Sequence, residues 1–204
     1  MKKILAILAL AVLLPGCGYN TLQTRDEQVK EAWANVLVLY KKRFDLLPNL
    51  MSTVQGYADH EKSTFTEIAQ ARASVGAIKA TPELVNDPEA FKKFTAAQDG
   101  LAGVLQRLLM VSERYPELKA NANFMDLQKQ LRELEDQIAL QKKRYNKEVK
   151  DFNIVVRNFP TNITAMAFSI KTKDTLSEGD VTRMQDAPKL EFNKKSAPVA
   201  EAKK

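Results

Sequence analysis

Apolar residues recur at Val29, Trp33, Val36, Tyr40, Phe44, Leu47, Met51, Val54 and Ala58, always three or four positions apart. That spacing keeps one face of a 3.6-residue helix apolar and predicts a long amphipathic helix. Ala32, Leu39, Leu46, Leu50 and Tyr57 widen the stripe to core-facing breadth, and its phase runs on through Phe65, Ile68, Val75 and Ile78. Ahead of it, Thr24-Arg25-Asp26-Glu27 has the form of a capping box, with the Thr24 hydroxyl accepting from the Glu27 amide, so the helix is expected to start there. Pro48 falls inside the stripe; it lacks an N–H and its ring crowds the Phe44 carbonyl. The phase is unbroken across it, and Leu47 would be a poor N-cap. The pattern therefore predicts one kinked helix through Pro48 rather than a hairpin over residues 44–51.

Thr81-Pro82 and Asp87-Pro88 each place a capping residue before a proline, the arrangement favoured at a helix start. They bracket a short connector. The helix opened by the second carries Phe91, Phe94, Leu101, Val104, Leu105, Leu108 and Val111 and ends near Tyr115-Pro116. A polar loop to Asn123 is expected next. The last long stripe is Phe124, Leu127, Leu131, Leu134, Ile138, Tyr145, Val149, Phe152, Val156 and Phe159, closed by Pro160. A mixed apolar piece, Ile163–Ile170, and a polar tail follow. No stretch alternates with the period of two that a half-buried strand requires. These patterns predict an all-α chain.

The first residues follow another rule. Lys2 and Lys3 precede an uninterrupted apolar run from Ile4 to Leu14. A membrane span needs about 20 apolar residues, so this run suits the core of a cleavable export signal better. It ends in Leu14-Pro15-Gly16-Cys17, which resembles a bacterial lipobox: an aliphatic residue, a small residue, then the cysteine to be acylated. Proline stands where a second small residue is usual. Cys17 is thus the expected lipidation site, the alternative being a thiol at the end of an uncleaved short anchor. Both readings put the chain on a membrane, and each buried CH₂ of an acyl chain would contribute about 0.8 kcal/mol.

The division expected from these signals is a signal peptide over 1–16, a lipidated anchor and short linker over 17–23, and a helical body over 24–175. An extended segment follows over 176–192, docked by Leu190 and Phe192, and then a disordered basic tail over 193–204. The 204 residues are 45% hydrophobic and 27% charged, the composition of a globular protein. The net charge of +6 points to nucleic acid only until it is located. Lys2, Lys3 and the last twelve residues hold nearly all of it, and residues 4–192 carry a net +1, so nucleic acid is not an expected partner.

The candidate chemistry is thin. Cys17 is the only cysteine, so no internal disulfide or cysteine metal site can form. His60-Glu61 invites a zinc reading, but the second histidine such a helix needs four residues on is Thr64. Glu133, Glu135 and Asp136 lie near Lys129 and Arg132, as on a solvated helix face. No glycine-rich phosphate loop is present, and no serine or cysteine nucleophile has a base beside it. No catalytic residue, metal site or cofactor is therefore expected. Trp33, Tyr40, Tyr57, Tyr145 and Phe152 read as core aromatics. Asn146 and Asn153 are expected to pair with Asn35 or Asn49 across the core and fix helix register. Lys142, Lys143, Arg144, Lys147, Lys150 and Arg157 form a basic band on the last helix. It suits either the helix C-terminus or anionic headgroups, depending on whether that end lies beside the start of the first helix.

Several blocks taken together resemble one family. They are Tyr19-Asn20, Ala32-Trp33-Ala34-Asn35, Lys42 through Leu50 (KRFDLLPNL), Gly56 through Glu61 (GYADHE) and Ala71-Arg72-Ala73. Further on come Glu113 through Asn121 (ERYPELKAN), Phe124 with Leu127-Gln128, Tyr145-Asn146, Phe159-Pro160 and Ala187 through Phe192 (APKLEF). In this order they are similar to the LemA family, from Tyr19 to Phe192. The resemblance implies a membrane-anchored, up-and-down four-helix bundle and supplies no catalytic residues. The sequence departs from the family in two places: a lipobox replaces a longer membrane segment, and Ala165–Lys173 lacks the Gly-Phe pattern usual after the Phe-Pro block. The expected role is a non-catalytic binding or scaffolding module held on the cell membrane or outer membrane, its body outside the cytoplasm. Its partner would be an envelope protein. The alternative is a membrane-surface or lipid-binding protein using the basic end.

Overall fold

The apolar stripe begins to act earlier than Thr24. In the computed structural model, which describes residues 2–55 and 62–177, helix α1 runs without a break from Lys2 to Gln55. Leu22 lies one heptad before Val29 and is fully buried, so the helix face is already committed to the core there. Thr24 is consequently not an N-cap. Its hydroxyl donates to the Asn20 carbonyl at 2.9 Å, and Glu27 pairs instead with Lys30 at 2.8 Å. Residues 18–23, expected to be a linker, form part of the same helix. α1 also continues through Pro48, as the unbroken phase predicts.

The remaining elements are α2 (Lys62–Gly76), a 3₁₀ turn (Pro82–Asn86), α3 (Pro88–Val111), a second 3₁₀ turn (Ser112–Arg114), α4 (Pro116–Lys119), α5 (Ala122–Arg157) and α6 (Thr161–Ala167). Every regular element among the described residues is helical. The phase that runs from Val54 to Ile78 does not belong to one helix. α2 runs against α1, with the Arg72 guanidinium over the Phe44 ring at 4.9 Å and Val75 beside Leu37 and Val38. Helical phase alone does not distinguish one long helix from two antiparallel ones. Tyr57, Ala58, His60 and Glu61 lie outside the described residues, as do Leu190, Phe192 and the basic tail.

Caps act where a side-chain oxygen can reach the second or third amide of the helix. Asp87 accepts from the Ala90 amide at 3.0 Å and starts α3, and Asn121 accepts from the Phe124 amide at 3.0 Å and starts α5. Thr81 precedes its turn without a side-chain cap. The polar loop expected before Asn123 contains α4, whose Leu118 is buried. The mixed piece after Pro160 contains α6.

Side-chain contacts set the direction of each long helix. Trp33 meets Tyr145 and Arg43 meets Glu135, so α1 and α5 are antiparallel. Trp33 also meets Phe91 and Phe94, and Arg43 meets Gln98, so α3 runs with α1. Arg107 pairs with Glu67 at 2.7 Å, consistent with α2 running against α3. α1 and α3 thus run one way and α5 the other, about a core in which Trp33 meets rings from α3 and α5. Trp33, Tyr40, Tyr145 and Phe152 are buried, as core aromatics should be, and the Trp33 indole donates to the Thr81 carbonyl at 3.1 Å. That bond satisfies the one polar group the ring carries into the interior.

Candidate functional site

Because α5 runs against α1, the chain that leaves it returns to Gly18 and Tyr19 of α1. The closing contact is Gly18. A Cβ at that position would lie 3.1 Å from Thr161 Cγ2 and 3.2 Å from Thr164 Oγ1, so α6 is seated directly on the glycine. The Tyr19 ring meets Phe168 at 4.8 Å. Cys17, the expected lipidation site, is the next residue along α1; its side chain is outside what the structure describes. This end of the bundle, made of Gly18–Leu22, the end of α5 and α6, is where chemistry at Cys17 would be felt. Seven steps of 1.5 Å from Cys17 to Thr24 cover only about 10 Å, half the reach an extended linker would have.

Of the expected basic band, Arg157 lies nearest this end, and Lys143, Arg144, Lys150 and Arg157 are exposed. Lys142 and Lys147 are engaged along the body: Lys142 with Asp99 at 3.8 Å, and Lys147 with Asp151 at 2.9 Å and Glu148 at 3.5 Å.

Asn146 and Asn153 do not pair across the core. Asn153 donates to the Lys173 carbonyl at 2.9 Å and accepts from the Lys173 amide at 2.8 Å. Asn146 does the same for Leu176, at 2.8 Å both ways, and the Tyr145 hydroxyl donates to the Asp174 carbonyl at 2.9 Å. Two side-chain amides therefore act as a strand edge for a non-helical segment that follows α6 and buries Leu176. The amide is suited to this because it offers both a donor and an acceptor, which is what one exposed peptide unit needs. Burial, with the nearby Asp174 charge, keeps the Tyr145 phenol protonated well above its ordinary range.

That segment delivers Lys173 into the bundle. Its ammonium meets Asp26 at 2.7 Å, donates to Asn86 Oδ1, and lies 5.2 Å from the centre of the Phe152 ring. Burial pushes the Asp26 carboxyl up, but the hydrogen bonds and charges of Lys173 and Lys30 outweigh it and hold the group below its ordinary value. A second polar contact lies further along α1. Arg43 is 2% exposed and donates to both oxygens of Glu135 at 3.1 and 3.3 Å, to the Gln98 carbonyl at 3.0 Å and to Gln98 Oε1 at 2.5 Å. Glu135, half-exposed at the edge of the core, is thus the partner of the buried Arg43, while Glu133 pairs loosely with Lys129 at 3.9 Å.

Both networks are tied structures. Apart from Arg43 Nε, their charged and amide groups are paired with one another, and neither presents a nucleophile beside a base. A groove of about 370 Å³ between α1, the end of α2 and α3 is lined by Leu37, Val38, Tyr40, Phe44, Val75 and Phe94. Burial raises the pKa of the Tyr40 phenol. Among the described residues no group of three His, Cys, Asp or Glu side chains could hold a metal ion. Among them, too, no helix is long and apolar enough to cross a membrane.

The family model described as "LemA family" matches residues 32–192. The chain is 27% identical to Magnetosome protein MamQ 2 of Paramagnetospirillum magneticum over 78% of its own length and 65% of that protein's. It is 25% identical to Magnetosome protein MamQ of Magnetospirillum gryphiswaldense, with the same shares covered. The chain therefore spans just under two thirds of those relatives. It is also 22% identical to a protein named LemA from Metamycoplasma hominis, over 81% of this chain and 71% of that one.

Proposed function

The chain belongs to the LemA family, and on that footing we propose that it is a lipid-anchored, non-catalytic binding or scaffolding module of the cell envelope. Acyl groups on Cys17 would hold it to the cell membrane or outer membrane with its body outside the cytoplasm, and its partner would be an envelope protein. The observation that carries this reading is the direct continuity of the lipobox-like Leu14-Pro15-Gly16-Cys17 with the first packed residues of the bundle, Gly18 and Leu22. A rigid body joined to its anchor without a slack tether meets only what lies within its own length of the bilayer. The tied polar networks support a binding role rather than a chemical one.

The test is photo-crosslinking in native membranes from exposed Val38, which lines the apolar groove. The reading expects discrete protein adducts with the anchored chain and their loss with Cys17→Ser. Adducts to lipid alone would favour the second reading, a membrane-surface protein, for which the exposed apolar residues of α6 speak.

A further inference from the structure

Residues 159–170 read FPTNITAMAFSI, a run without a charged side chain in a protein that is 27% charged. α6 spends one face of this run on the bundle: Thr164 and Ala165 are buried, and Thr161 is seated beside Gly18. The other face carries Ile163 and Met166, three residues apart and so neighbours on the helix surface. Met166 is 81% exposed and Ile163 is exposed with it. Phe159, 80% exposed, precedes the helix, and exposed Phe168 follows it. Elsewhere among the described residues, exposed large apolar side chains such as Val38, Met110, Met125 and Leu140 are spread over α1, α3 and α5. Single apolar residues on a surface are ordinary, whereas a group gathered in ten residues marks an interaction site.

The position of the patch says what covers it. α6 rests on Gly18, one residue from the cysteine expected to carry acyl groups, and Phe168 rests on Tyr19. At the two ends of the uncharged run stand Arg157 and Lys171, both exposed. Cations there would gain about 1 kcal/mol each near an anionic lipid surface. An apolar wedge bounded by cations, lying beside the chain's own anchor, has the make-up of an interfacial segment. We infer that α6, with Phe159 and Phe168, lies in the headgroup–acyl boundary of the leaflet that holds Cys17. The bundle is then fixed to lipid at two points, which sets its orientation, whereas one acylated terminus would leave it free to swing. This inference rests on the reading that the chain is anchored at its Cys17 end.

The test uses the full chain, acylated in its host and reconstituted in vesicles of phosphatidylethanolamine and phosphatidylglycerol. An environment-sensitive dye is placed on Met166→Cys, or on Lys129→Cys near the far end of α5, where the side chain is exposed. The dye at 166 should shift to the blue and be quenched by nitroxide lipids, and the dye at 129 should respond only to aqueous iodide. Flotation of the same samples separates the two readings. A chain that floats while position 166 stays aqueous keeps the anchor and overturns the docked α6. A Cys17→Ser chain lacking residues 1–16 that floats as well as the acylated one, with 166 shielded, keeps the docking and overturns the anchor. A chain left in the aqueous fraction overturns both. Ile163→Asp combined with Met166→Asp touches exposed positions, so helical content should be unchanged. In the Cys17→Ser chain lacking residues 1–16 it should lower vesicle retention about tenfold or more; unchanged retention would overturn the inference.

Discussion

Replacing Arg43 by alanine should destabilise the bundle far more than removing its acidic partner does. The Arg43 guanidinium is buried and holds Glu135, the Gln98 carbonyl and Gln98 Oε1 together, with its Nε buried and without a partner. Gln98 is itself 2% exposed, so Arg43→Ala strands its buried Oε1, while its carbonyl, inside α3, keeps the helical hydrogen bond. A stranded group costs about 1–3 kcal/mol, and the lost aliphatic stem adds a cavity. A total of about 3–5 kcal/mol follows, the range for breaking a buried charged contact. Glu135→Ala is different. The Glu135 side chain is 39% exposed, its attraction for Arg43 is screened by solvent, and Arg43 keeps Gln98. The cost should be near 1 kcal/mol. The assay is urea unfolding of the full chain in mild detergent, followed by helical circular dichroism and Trp33 fluorescence. With a slope of about 2 kcal/mol per molar urea, the Arg43→Ala midpoint should fall by more than about 1 M. Arg43→Met with Gln98→Leu restores an apolar seam and should recover most of the loss. If Arg43→Ala cost no more than Glu135→Ala, the buried network would not be stabilising in the way its geometry indicates.

Three further outcomes are expected. Ser169 has φ 55°, and the Ile170 amide donates to the Ala165 carbonyl at 2.8 Å, so it occupies the left-handed position of a helix-closing turn that favours glycine; Ser169→Gly should raise stability by about 0.5–1 kcal/mol in the same urea assay. Asn146→Ala with Asn153→Ala removes four hydrogen bonds to Lys173 and Leu176, and hydrogen exchange at those two amides should quicken while α1 stays protected. Asp26 is held below its ordinary value, so the folded state binds its proton less tightly than the unfolded state. Its contribution is present above about pH 3.9 and is lost as pH falls through the lower folded value, and a Tm–pH profile should therefore be shallower in that acid window for Asp26→Asn.

Most of the helices were legible because burial imposes the 3.6-residue period: the described stripes on α1, α3 and α5 are largely buried, but Phe159, expected to close the last one, lies beyond α5 and is 80% exposed. The starts of α3 and α5 were less equal. Asp87-Pro88 announced its cap, while Asn121 was hidden in what reads as a polar loop. Arg43 and Gln98 also carried a signal. Val36, Arg43 and Leu50 are spaced by sevens, as are Phe91, Gln98 and Leu105, so both polar residues fall on core positions where a partner is required. Lys173 carried none. It lies in a segment without period, and what buries it is Asp26, far away in sequence. The capping-box reading of Thr24 failed for a related reason. A local motif does not start a helix whose preceding turn is already held by tertiary packing, here Leu22 and Gly18. The apolar end of α6 was read only as a mixed piece, since neither its helix nor its seat beside Tyr19 follows from spacing.

The central claim is that the chain is attached through Cys17, and intact mass of the protein recovered from native membranes, beside metabolic palmitate labelling, tests it most directly. The account predicts a mature chain lacking residues 1–16 and bearing acyl mass and label at Cys17, with the Cys17→Ser chain unlabelled and retaining its leader. A wild-type chain that carries no label and keeps Met1 through Gly16 would contradict it.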